Sequence, residues 1–297
     1  MHAQPELQTG SSFHVGAIRC RLLVDGSFTY PSEWFFSNIA EARDELRSRG
    51  VSADQITTPY SCLLVEAGSK RVLIDTGAGP LAPTTGQLLS RLKESDIAAS
   101  DIDVVILTHG HPDHIGGAVG RDGKPVFPNA SYIMAESEWK FWTSEAIDYS
   151  QMAVPTEIKD LLLSTAKRML PPLRPHVDLI NGSTEVISGV HCVPAPGHTP
   201  GHLAVIITSG TEQLLYAADA LLHPLQIEHP EWQSVFDFAP DQATDTRKKL
   251  LNRAAADDML FMAYHFAMPK SWQSPDRGNY LDQGNSAEVK SHIRSPL

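Results

Sequence analysis

The sequence predicts an α/β fold in which short strands alternate with helices and polar side chains gather where strands end. Three observations carry this. Short apolar runs rich in β-branched residues are separated by segments with helical spacing. Four of those runs end on His or Asp. The run 102–107 leads straight into Thr108-His109-Gly110-His111-Pro112-Asp113-His114, which holds three His and one Asp within six residues. Open α/β sheets place their ligands at the C-terminal ends of strands.

In chain order, Phe13 to Val24 alternates as a strand, and Asp25-Gly26 reads as a turn. Phe28, Tyr30, Trp34, Phe35 and Phe36 then crowd into nine residues. These aromatics either line an apolar pocket or pack the N-terminal arm onto the body or a second subunit. Ala40 to Arg49 has helical spacing and stops at Gly50. Segments 61–67 and 71–75 read as strands around Gly68-Ser69. Asp75 closes the second, as a turn residue or as a carboxylate that orients a histidine. The glycines after it do not continue as Gly-x-Gly-x-x-Gly, because Ala82 stands at the third position; a dinucleotide site is excluded.

Gly86 to Ser95 reads as an amphipathic helix, 131–135 as a strand, and Glu136 to Glu145 as a helix carrying Trp139, Phe141 and Trp142. Ile158 to Leu170 reads as a longer helix ended by Pro171-Pro172. Strands follow at 184–187 and 190–194, then the stiff turn Pro196-Gly197-His198-Thr199-Pro200-Gly201-His202, then a strand at 203–208. Segment 214–219 is a strand ending on Asp219, 241–256 a helix, and 258–265 a strand ending on His265. Residues up to Ser12 and the tail after Lys270 read as loosely tied.

These strand ends have a common chemistry. His109 and His111 are two apart, so an extended backbone points both imidazoles to one side, where they hold one ion. Pro112 turns the chain and aims Asp113 and His114 at a neighbouring point. His198, in a turn stiffened by Gly and Pro, suits a third ligand; His202 reads as a supporting or structural residue. Asp219 has two oxygens with which to bridge two ions, or is a turn residue. Imidazole and carboxylate suit zinc, iron or manganese, and no Cys lies near enough for a zinc finger. The four strand ends make one coherent two-metal site.

Composition narrows the partners. The chain has 297 residues, 42% hydrophobic and 20% charged, with a formal net charge of −11. Such charge disfavours nucleic acid and anionic membranes. Cys20, Cys62 and Cys192 sit in strand-like settings and read as buried reduced thiols, which fits a cytoplasmic location. The N-terminus lacks the pattern of a signal peptide. No run of about 18 apolar residues is present, so no membrane span is expected.

The pattern His109-x-His111-x-Asp113-His114, then Gly197-His198-Thr199-Pro200-Gly201-His202, then Asp219 and His265, resembles the metallo-β-lactamase-fold hydrolase superfamily. The resemblance implies an αββα sandwich: two mixed β-sheets face to face with helices outside. It places a hydrolase domain at 56–270, an N-terminal arm at 1–55 packed on it, and a C-terminal tail at 271–297. Carried over by position, His109, His111 and His198 bind a first divalent ion. Asp113, His114 and His265 bind a second, Asp219 bridges, and Asp75 supports. Zinc is the expected metal, with manganese, iron or cobalt as alternatives.

The resemblance also implies a reaction. A metal-bridging hydroxide attacks a lactone or ester carbonyl, with Asp113 and Asp219 as catalytic residues. The full ligand set argues against single-iron persulfide dioxygenases, and the absence of a Cys ligand against the zinc β-lactamases that use one. Segment 226–232 and the 241–251 helix look most like the branch of quorum-quenching lactonases, 4-pyridoxolactonase and methyl-parathion hydrolase. Such lactonases typically carry a Tyr three residues after the bridging Asp, where this chain has Leu222. An organophosphate triesterase of the methyl-parathion hydrolase type is therefore the alternative. A glyoxalase-II-like thioesterase stands third, because only scattered Lys270, Arg277, Lys290 and Arg294 offer charge near the C-terminus. Phe28, Tyr30, Trp34, Phe35, Trp139, Trp142, Leu222 and His223 are the expected substrate pocket. The partner is a small molecule, and the aromatic N-terminal segment fits a homodimer.

Overall fold

A computed structural model describes residues 12–149 and 152–266. Two sheets organise it. The first holds seven strands in sequence order: β1 (Ser12–Val15), β2 (Ile18–Pro31), β3 (Gln55–Ala67), β4 (Lys70–Ile74), β5 (Val104–Ile106), β6 (Ser131–Ala135) and β7 (Val177–Ile180). β1 to β4 run antiparallel, with a helix-bearing connection between β2 and β3, whereas β4 to β7 run parallel and return through helices. The second sheet has the order β12-β11-β10-β9-β8. Its strands are β8 (Thr184–Ile187), β9 (Val190–Pro194), β10 (Leu203–Ser209), β11 (Glu212–Tyr216) and β12 (Leu260–Met262). Only β11 and β12 pair in parallel there.

Strand alternation shows the layers. On β10, Val205 and Ile207 join the large core shared with Leu22, Leu64 and Ile74 of the first sheet. Ala204 and Ile206 point the other way, into a core with Leu250 and Ala254 of helix α7 (Pro240–Ala256). Tyr216 reaches across the interface and donates its hydroxyl to Ser61 O at 2.8 Å. The first sheet is covered by α2 (Leu88–Lys93) and α5 (Thr156–Leu173), whose Leu88, Leu92, Leu162, Ala166 and Leu170 enter the same core. The αββα sandwich expected above is the fold. Among the described residues, no helix is long and apolar enough to cross a membrane.

Several sequence expectations shift. Asp25-Gly26 is not a turn: β2 continues through it with a bulge, and pairs with β3 as far as Pro31. The bulge turns Asp25 inward, where its carboxylate accepts the N–H groups of Ala78, Gly86 and Leu88 at 2.8–3.0 Å. Residues 12–31 are thus integral strands of the first sheet; helix α1 (Ile39–Ser48) follows as expected. Pro171 and Pro172 do not end α5, which runs to Leu173 because that buried side chain anchors the last turn while the prolines stay at the surface. β7 was not anticipated. The expected tail at 271–297 lies outside the described residues.

Candidate metal centre

The centre lies where both sheets present the ends of their strands. β5 ends at Ile106, and Thr108 N–H then donates to Asp75 Oδ1 at 2.8 Å. That contact places His109 at the rim. His111 stays extended, and Pro112 opens the short helix α3 (Pro112–Ile115). Proline fits a first helical turn because its missing donor would be unpaired there anyway. The turn delivers Asp113 and His114. Tyr264 donates its hydroxyl to Asp113 O, and its ring lies 3.9 Å from that of His114.

The second sheet supplies the rest. The loop between β9 and β10 carries His198, and Leu203 N–H, at its end, donates to Thr108 O at 2.9 Å. Asp219 sits in a 3-10 turn, Ala218–Ala220, just after β11. His265 follows β12. Asp75 and Ala218 both have left-handed backbones, with φ of 62° and 46°. Non-glycine residues hold such angles at a cost of about 1–3 kcal/mol, and they cluster at functional sites.

Two groups of side chains result. His109, His111, His198 and Asp219 form one; Asp113, His114, Asp219 and His265 form the other. Within each, the facing atoms lie within 4.8 Å of one another. Asp219 belongs to both. Its Oδ2 lies 3.4 Å from His198 Nε2 and 3.2 Å from His265 Nε2, and its Oδ1 lies 3.2 Å from His114 Nε2. All seven residues expected from the sequence therefore meet.

These residues fit a pair of cations. The Nε2 atoms of His109 and His114, and Oδ1 of Asp219, are buried without a hydrogen-bond partner, and His111 turns its Nδ1 to within 3.0 Å of His198 Nε2. Such atoms are costly unless something else satisfies them. Other ring nitrogens are pinned by acceptors: His114 Nδ1 donates to Asp75 Oδ2 at 2.8 Å, His198 Nδ1 to Asp237 Oδ1 at 3.1 Å, and His265 Nδ1 to Pro59 O at 3.2 Å. This leaves each Nε2 aimed inward, the usual support for a ligating histidine. Burial, then neighbouring imidazoles, holds His109 and His111 well below the ordinary histidine range, in the neutral form that ligates metal. Burial also works against protonating His114, but Asp219, Asp75 and Asp113 carry it well above that range. The second group thus draws positive charge.

His202 is structural. Its Nε2 accepts Asp219 N–H and its Nδ1 donates to Ala195 O, both at 3.1 Å, and burial pulls it down to about 3. Asp75 takes the histidine-orienting role, not that of a turn residue alone.

The expected substrate pocket divides. Phe28 is 43% exposed, and Tyr30 and Trp34 are half-buried. Their rings meet one another and Phe236, which sequence reading missed. Phe35 and Leu222 are instead interior, packed with Phe36 and Trp232. Trp139 lies under Arg174, and Trp142 is buried beside His111. His223 is half-buried with its ring edge on Phe36. Phe35 and Phe36 thus pack into the body, while Phe28, Tyr30 and Trp34 keep part of their surface exposed. Tyr30 and Tyr60 share a hydroxyl hydrogen bond. Burial raises both phenols, and Asp113 and Asp219 raise them further, so both stay protonated. Asp113 is the least buried ligand and marks the side open to solvent.

Sequence reading also missed Glu138, Asp237 and Arg247, all fully buried. The one available signal was the proximity of Glu138 to the aromatic pair Trp139 and Trp142. The three cysteines are buried and free.

Comparison with known proteins agrees with this geometry. The family model "Metallo-beta-lactamase superfamily" matches residues 56–265. The solved structure of AidC, described as a dizinc quorum-quenching lactonase, aligns with a TM-score of 0.80 at 32% identity, covering 89% of this chain and 92% of that one. An N-acyl homoserine lactonase of Bacillus cereus is 26% identical over 60% of this chain and 70% of its own length. The Beta-lactamase-like protein 2 homolog of Drosophila melanogaster is 29% identical over 54% of this chain; the match spans only 46% of that relative.

Proposed function

The chain belongs to the metallo-beta-lactamase superfamily, and from that premise we propose that it is a metal-dependent hydrolase of lactones or esters. The observation that carries this is the pair of four-residue groups sharing Asp219. The likeness to AidC and to the B. cereus lactonase supports a lactone as substrate. His109, His111 and His198 would hold one ion, and Asp113, His114 and His265 the other, with Asp219 between; zinc is the metal proposed. When bound, the ions supply Lewis acidity at the attacked oxygen and a water acidic enough to react near neutral pH.

The chain's own groups do the remaining work. Asp219 is ionised, because His114 and His265 outweigh the burial that opposes its charge. Asp113, on the solvent side, would take up the proton of the attacking water and return it to the alkoxide oxygen that leaves as its bond to the acyl carbon breaks. Tyr30, a protonated donor close to that side, hydrogen-bonds the substrate carbonyl. Phe28, Trp34 and Phe236 around it hold the apolar part of the substrate. The substrate is a small molecule, and a cytoplasmic location fits the reduced thiols.

Phosphotriester hydrolysis is the second reading. It is favoured by Leu222, which is 2% exposed within an apolar cluster and offers no hydroxyl where related lactonases typically have one. The test is turnover of an acyl-homoserine lactone, an aryl ester and a dialkyl aryl phosphate, with metal content measured on the same sample. Lactone turnover that disappears in Asp219→Ala, along with about one ion of two, supports the proposal. Turnover of the phosphate alone moves the assignment to the triesterase, and a wild-type chain holding one ion or none overturns the two-site reading.

A further inference from the structure

We propose that Glu138 is a positioning residue that holds the two metal-ligand loops in register, its carboxylate taking one backbone N–H from each. Glu138 lies in the first turn of α4 (Glu136–Trp142), directly after β6. A glutamate there commonly caps its own helix, yet α4 has no side-chain cap. The side chain points away instead, and is fully buried. Its Oε1 accepts Gly110 N–H at 2.9 Å and Trp142 Nε1–H at 2.6 Å. Its Oε2 accepts Gly201 N–H at 2.8 Å.

The two glycines have matching positions. Gly110 separates His109 from His111, and Gly201 lies between His198 and His202. Both approach α4 closely. A Cβ at Gly110 would stand 2.4 Å from Trp142 Cδ1, and one at Gly201 would stand 2.2 Å from Glu138 N. One loop follows a strand of the first sheet and the other joins two strands of the second. A single carboxylate therefore bridges them, alongside the bond from Leu203 N–H to Thr108 O. All three partners are donors, so the ionised form satisfies each of them. Burial pushes this carboxyl up, and Gly110 N–H, Trp142 Nε1–H, the Thr199 hydroxyl and Gly201 N–H oppose that.

Glu138 touches no reacting atom. It acts through the backbones of the loops that carry His109, His111 and His198. This inference depends on those loops binding metal and is independent of which substrate is turned over.

The test is Glu138→Gln in the full chain, with zinc as the probe. The amide keeps the shape but presents an oxygen on one side only. Either Gly201 N–H, or Gly110 N–H with Trp142 Nε1–H, then faces an NH₂ donor. Zinc affinity, read by competition with a chromophoric chelator, should fall about tenfold or more, the usual cost of losing a group that supports ligands. The rise in Tm on adding zinc should shrink in step. Trp142→Phe keeps the carboxylate and both backbone contacts, and should bind zinc close to wild type. If Glu138→Gln does not fold, Glu138→Asp carries the test. It keeps the charge but is one methylene too short to reach both loops, so zinc binding should weaken as well. Unchanged zinc affinity in the variant overturns the proposal. So does an equal drop in Tm with and without zinc, or a loss in Trp142→Phe as large as in Glu138→Gln; each would mean a packing role alone.

Discussion

Replacing Arg247 with Met should destabilise the metal-loaded protein severely, although Arg247 touches none of the seven ligands. It is fully buried on α7. Its Nε donates to Ala220 O at 2.9 Å, one residue past Asp219, and its Nη1 to Pro230 O and Trp232 O at 2.8 and 3.0 Å. Its Nη2 lies 3.4 Å from Asp237 Oδ2, and Asp237 Oδ1 accepts His198 Nδ1–H. Met fills much of the space but leaves Asp237 without its cationic partner and the carbonyls of Ala220 and Pro230 without a donor, while Trp232 O keeps Gln226 Nε2–H at 2.9 Å. Removing one partner of a buried ion pair costs about 3–5 kcal/mol. At about 2–4 °C per kcal/mol for domains near this size, Tm should fall by about 6–20 °C. Scanning calorimetry of the zinc-loaded variant measures it. Asp237→Asn combined with Arg247→Met should recover part of the loss, since the stranded charge is gone; coupled neighbours differ from additivity by about 0.5–3 kcal/mol. A fall of less than about 2 °C, or strict additivity in the double variant, would refute the argument that the pair is an electrostatic unit.

Three further outcomes are expected. Asp75→Asn leaves one oxygen for two donors, Thr108 N–H and His114 Nδ1–H, each at 2.8 Å; one of them then faces an NH₂ group, so metal affinity or activity should drop about 10–100-fold, and equilibrium dialysis against zinc reads the first. Chelation should lower Tm and zinc should restore it, because the buried imidazoles and Asp219 then lose the cation that offsets their burial; an unchanged Tm would count against metal in the folded site. Lys70 Nζ, donating at 2.7 Å, and then Arg71 N–H hold Asp103 below the usual carboxylate range. The folded value is depressed, so this contribution is present above the unfolded pKa of about 3.9 and fades as pH falls through the folded one. Lys70→Met should move the Asp103 midpoint upward in an NMR titration.

How much of this was legible in the sequence follows from the kind of residue involved. Histidines at strand ends are rare and chemically specific, so His109, His111, His114, His198 and His265 stood out with Asp113 and Asp219 among them. Glu138 and Arg247 did not, because each is one of many charged residues, and burial with a distant partner leaves no local pattern. Asp25-Gly26 has the composition of a hairpin turn; only the fourteen-residue strand through it, paired to β3, shows a bulge. Phe35 and Leu222 look like pocket walls in isolation. They become core once the 222–236 segment folds back over α1. Pro171-Pro172 failed as a stop signal because the packing of Leu173 outweighed local preference.

The sharing of ligands between the two sheets makes the metals cross-links. Each group takes two side chains from the half of the chain before residue 115 and two from the half after 197. A cation bound there closes loops of many tens of residues, as a disulfide does in other proteins, and ties the two packed sheets together at one edge of the sandwich. Neither half alone has a full set for either ion. The centre therefore depends on assembly: either sheet alone would present only part of each ligand set, and the full set exists only once the two layers have docked.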